Sequence, residues 1–263
     1  MINICKLNQQ ARTTLPALIE IAPMKKDPQK LPLLAVLVSL FIFVSPVMSA
    51  TPEGDNIVES HITVSEELES LTPAEIEEIK QEVRTALNSI SQILGIEYRQ
   101  TTKIRIVDKG ICYANDGIVS LSISHIKDKS SPIIHEVTHI LANHKYNSFY
   151  SEGLAVYFQE RFGESYGFPN FSSSLDALVK NYKDQLLPIS KLHNDNDIFE
   201  MIGTEQRKIA YIEAGSFINF LVEKYGEKKL AALNNSSSLN YKIIYGKEIN
   251  ALEAEWKNHV LRK

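Results

Sequence analysis

The chain has 263 residues, 44% apolar and 23% charged, with a net charge of −4. This is ordinary globular composition with room for a real core, and its acidic balance leaves no basic footprint for nucleic acid. Its two cysteines, Cys5 and Cys112, exclude a disulfide framework. Cys112 reads as a small buried residue, since nothing around it lowers a thiol pKa.

Residues 31–48 form an apolar run, preceded by Lys25, Lys26 and Lys30 and followed by Ser49-Ala50-Thr51-Pro52. A basic region, an apolar region and small residues describe a secretory leader over residues 1–50, cleaved after Ala50 or Ser49. Translation from Met24 would give a leader of conventional length. The alternative is an uncleaved anchor over residues 31–48, the one membrane contact the sequence offers. Pro32 and Ser45-Pro46 shorten its clean apolar run, and a span needs about 20 apolar residues. Residues 51–70 are polar and read as a linker, with a short strand at Ile62-Thr63-Val64.

Thr72-Pro73-Ala74-Glu75 is a capping box with proline at the first helical position. It opens a helix with Ile76, Ile79, Val83, Leu87, Ile90 and Leu94 on one stripe, closed by Gly95. Lys103–Val107 alternates as a strand, and Asn115-Asp116-Gly117 signals a turn. Ile118–Ser124 alternates again, with Val119, Leu121 and Ile123 on one face and serines on the other. Two readings of this half-polar strand stand: an edge that pairs with an extended peptide, or an ordinary solvent-faced edge. His125, at its end, reads as a surface residue.

Ser130-Ser131-Pro132 then predicts a serine cap and a proline start for a helix running to about Asn143. That helix carries His135-Glu136-Val137-Thr138-His139. Residues i and i+4 lie one above the other, so His135 and His139 can offer their imidazoles to one metal ion. Glu136 sits beside that face, where a carboxylate can act as a base without being a ligand. Two imidazoles, one carboxylate and a water form a catalytic zinc set, which makes Glu152 of Ser151-Glu152-Gly153-Leu154-Ala155 the candidate third ligand. A second helix from about Phe149 to Phe162 would carry it. Gly153 and Ala155 are small enough to let this helix approach the first.

The rest reads as helical. Ser172-Ser173-Ser174 precede an amphipathic helix with Leu175, Leu178, Val179 and Tyr182. His193 falls in an Asn/Asp loop and reads as solvated. Residues 204–225 form a long helix with Ile209, Ile212, Phe217, Phe220 and Leu221 for the core. Residues 234–238 form a polar loop, and Leu252 and Trp256 pack a terminal helix.

The motif pair HEVTH and SEGLAVYF resembles the gluzincin zinc peptidases, whose histidine helix is completed by a glutamate from a downstream E-G-[LF]-A helix. The chain is most similar to the compact peptidase MA-like domains of bacterial exported proteins, over about residues 72–263. Leu187–Leu192, the Tyr211–Phe217 to Tyr225-Gly226 stretch and the closing Gly246–Trp256 segment fit as well. The resemblance implies that His135, His139 and Glu152 are zinc ligands and that Glu136 is the general base. It also places Tyr211 near the site, as the candidate donor to the oxyanion. Twelve residues separate His139 from Glu152. That connection is shorter than in the large aminopeptidases and thermolysin-like enzymes, so the ligand geometry carries over and their substrate pockets do not.

The expected fold is therefore α+β, a small zincin-like domain over residues 71–263. An N-terminal helix and short mixed sheet are followed by a mostly helical C-terminal half. The expected function is that of an exported, Zn2+-dependent metallopeptidase acting on a peptide or protein substrate through a Glu-activated, zinc-bound water. The alternative is an exported scaffold that binds a partner without catalysis, against which a base beside the ligands argues.

Overall fold

The computed structural model describes residues 62–66, 70–110, 112–142, 148–163, 167–194 and 204–262. The expected leader, most of the expected linker and residues 143–147 lie outside the described residues. The architecture is α+β, a mixed four-stranded sheet followed by a mostly helical C-terminal half.

Strand β1 (Ile62–Glu66) pairs in parallel with β2 (Thr102–Val107), and helix α1 (Pro73–Leu94) makes the crossover between them. Parallel neighbours need such a connection, and the capping box starts it. Thr72 accepts from the Glu75 backbone while the Glu75 carboxylate accepts the Thr72 N–H at 2.7 Å. Gly95 closes α1 in the left-handed region at φ 63°, which a side chain would disfavour. The strand expected at Ile62–Val64 is thus β1, part of the sheet.

β3 (Tyr113–Asn115) and β4 (Ile118–Ser122) form a two-residue hairpin. Asp116 and Gly117 both take positive φ, 48° and 76°, as a turn matching strand twist requires. The sheet order is β1-β2-β4-β3. The edge reading of the Ile118–Ser124 stretch is therefore overturned. β4 lies between β2 and β3, and its serines Ser120 and Ser122 are buried. The chain also leaves the strand after Ser122 to form a short helix, α2 (Ile123–Lys127).

Helices α3 (Ile133–Ala142) and α4 (Ser148–Phe162) follow, then α5 (Leu175–Asn181), α6 (Ile189–Asn194), α7 (Thr204–Tyr225), α8 (Glu227–Asn234), α9 (Tyr241–Tyr245) and α10 (Ile249–Arg262). α3 packs on α1 and on α4, and α4 packs along α7. α4 is buried on nearly every side from Phe149 to Gln159, the pattern of a helix enclosed by others. A Cβ on Gly153 would lie 2.9 Å from the Ala214 carbonyl oxygen of α7. The close approach that Gly153 allows is therefore to α7, and not to α3 as expected. Leu154, Phe158, Phe217, Leu252 and Trp256 lie in one continuous core with Cys112.

Two further expectations need correction. The serine cap of α3 is absent: the helix begins at Ile133, Ser131 Oγ has no hydrogen-bond partner among the described residues, and Ser130 Oγ is 2.9 Å from His125 Nδ1. His125, partnered by that hydroxyl, is buried, although it was expected at the surface. His193 lies in α6, half-buried, with its ring 5.2 Å from that of Tyr241.

Candidate metal centre

α3 places His135 and His139 one turn apart, with ring centroids 4.7 Å apart and planes at 85°. Their Nε2 atoms are 3.1 Å apart. α4 brings Glu152 against them, with Oε2 3.1 Å from His135 Nε2 and 3.4 Å from His139 Nε2. Three donors about 2.05 Å from a tetrahedral zinc ion would be separated by about 3.3 Å. The triangle thus fits three corners of one small cation's ligand shell.

Burial and charge put His135 and Glu152 in ligand-competent forms. Burial, then the neighbouring His139, pushes His135 below its ordinary value and so toward neutral imidazole, despite the Glu152 carboxylate. Burial would also lower His139, but the Glu152 and Glu136 carboxylates outweigh it. Burial alone would raise Glu152, yet the two facing histidines hold its carboxyl well below the usual range. An ionised carboxylate beside the neutral His135 suits a zinc site, whereas His139 is pushed toward its protonated form and would release that proton to a bound cation.

Glu136 is buried beside this triangle, and its charge acts on both His139 and Tyr211. Tyr211 comes from α7. Its ring stacks on that of His135, with centroids 6.3 Å apart and planes at 19°. Burial first, then Glu152 and Glu136, raise its hydroxyl well above its ordinary value, and a hydrogen bond to Glu152 adds to the effect. The group stays protonated and able to donate. Phe168 packs edge-on against it at 5.3 Å.

Sequence reasoning missed Gln159. Its Oε1 accepts the His135 backbone N–H at 2.9 Å, a first-turn donor that α3 cannot satisfy itself. Gln159 lies seven residues after Glu152, on the same face of α4 two turns on. A polar residue seven positions after Glu152, on the same helical face, was the available signal.

The structure thus brings His135, His139 and Glu152 together as a compact metal-ligand cluster, with Glu136 and Tyr211 against it. No family model matches this chain, and no curated protein or solved structure does.

Proposed function

We propose that the chain is a zinc-dependent hydrolase of peptide bonds, of gluzincin type, acting outside the cytoplasm once the leader over residues 1–50 has directed its export. The observation that carries the reading is the Nε2, Nε2, Oε2 triangle with a second buried carboxylate, Glu136, beside it.

Zinc bound there would supply Lewis acidity that polarises a carbonyl and brings the pKa of a nearby water toward neutrality. His135 and His139 would hold the ion as neutral donors, and Glu152 would contribute the compensating charge. Glu136 accepts the proton of the attacking water on its carboxylate and returns it to the departing amine nitrogen. Tyr211 offers its hydroxyl proton to the negative charge that develops on the carbonyl oxygen. An extended peptide would pair along β3, the edge strand that packs near α3.

Glu136→Gln tests the reading. It keeps the size of the side chain and removes the base. Zinc content should be retained while turnover of a peptide library falls by about 10²-fold or more. Wild-type turnover in this variant would remove Glu136 from the chemistry.

A further inference from the structure

A second group of potential ligands lies in the helical half. Asp176 on α5, Glu223 on α7 and His259 on α10 each bring one donor atom to within 4.8 Å of the others. These three helices pack pairwise on one another. His259 Nε2 is 2.7 Å from Glu223 Oε2, and the two side chains are 29% and 40% exposed.

The carboxylates are held in place from behind. Ser216, fully buried on α7, donates its hydroxyl to Asp176 Oδ1 at 2.8 Å and accepts the indole N–H of buried Trp256 at 2.9 Å. Asn219 Nδ2 donates to Glu223 Oε1 at 3.4 Å. One oxygen of each carboxylate is thus fixed by a neutral donor from α7, the way outer-shell partners orient metal-binding carboxylates. Glu160 of α4 adds to the negative charge here. Burial, and then the proximity of Asp176 and Glu223, raise its carboxyl above the ordinary value. An ion pair between His259 and Glu223 accounts for two of these groups. It does not account for Asp176 being tethered against that pair by the Trp256–Ser216 chain.

We propose that Asp176, Glu223 and His259 form a second divalent-cation site, in exchange with solvent, that ties α5, α7 and α10 together. One imidazole with two carboxylates suits zinc or manganese, whereas calcium and magnesium favour oxygen alone. The partial exposure makes this the weaker site of the two. Its occupation would stiffen α7, the helix that presents Tyr211 to His135.

The test uses zinc chloride alone as the probe, titrated by calorimetry into the full chain carrying His135→Ala/His139→Ala. One zinc should bind per chain and raise Tm by several degrees. Adding Asp176→Asn, which keeps the Ser216 hydrogen bond, together with Glu223→Gln should abolish both effects. Wild-type chain preloaded with one zinc should show the same second binding event, which guards against a folding defect from the alanines. No binding to either protein at millimolar zinc would overturn the proposal. So would binding undiminished by Asp176→Asn with Glu223→Gln. The first cluster is absent or filled throughout, so the result is independent of the proposed peptidase activity.

Discussion

Gln159 Oε1 accepts the backbone N–H of His135 at 2.9 Å, so the helix that carries Glu152 also caps the helix that carries both histidines. The relative placement of the three donors therefore depends on one buried amide as well as on packing. Gln159→Leu keeps the bulk and leaves the N–H buried without an acceptor. It should cost about 1–2 kcal/mol, read as a fall in Tm of about 3–6 °C. Zinc should also dissociate faster to a chelator. An unchanged Tm and unchanged zinc release would show that the cap contributes nothing to the centre.

Gly153 makes the next constraint. On an exposed helix, glycine to alanine gains up to about 1 kcal/mol. Here the new Cβ would meet the Ala214 carbonyl oxygen at 2.9 Å, and backbone on both sides must shift. Overpacking of this kind costs about 1–3 kcal/mol, so Gly153→Ala should destabilise. Because Glu152 is the adjacent residue, zinc affinity should fall with it. A variant as stable as the wild type, or more so, would contradict the close packing of α4 on α7.

Glu213 gives the protein a pH dependence. It lies fully buried on α7 and accepts the Leu187 N–H at 3.2 Å. Burial pushes its carboxyl from the ordinary 4.5 up to about 8. The unfolded chain loses this proton near pH 4.5 while the folded chain keeps it to about pH 8. Stability from this group therefore falls as pH rises between those values and levels off above them. The difference is at most about 5 kcal/mol. Glu213→Gln should stabilise at pH 9, with the gain shrinking toward pH 5, in denaturant titrations at both values. A gain of equal size at both would rule out the titration of Glu213 as its cause.

Tyr211→Phe separates the ring from the hydroxyl. The stack on His135 at 6.3 Å should survive, so zinc content should hold. Turnover should fall by about 10²-fold if the hydroxyl stabilises developing charge. Turnover equal to that of the wild type would confine Tyr211 to packing.

Local signals in the sequence were legible. The Thr72–Glu75 box, the Asp116-Gly117 turn and the i, i+4 histidines depend on residues within a few positions of one another. What escaped depends on tertiary partners. Ser174 precedes α5, but the Leu175 N–H is capped by Glu160 Oε1 at 2.7 Å, fifteen residues earlier. Glu253 takes the Ser190 N–H at 3.3 Å from sixty-three residues away. β4 looked like an edge because Ser120 and Ser122 alternate with apolar residues. Small hydroxyl side chains also fit inside a sheet, and the strand order β1-β2-β4-β3 is not a local property. His125 looked exposed because the Ser130 hydroxyl that satisfies it is only brought close by the turn after α2.

The most direct test of the account is metal content by mass spectrometry, on full chain dialysed to remove loosely held ions. About one zinc per wild-type chain, and none in His135→Ala/His139→Ala, is the predicted result for a His, His, Glu set with one position left for water. No stoichiometric zinc in the wild type after zinc has been supplied, or equal zinc in both proteins, would contradict it. The His135–His139–Glu152 triangle would then be helix packing rather than a metal centre.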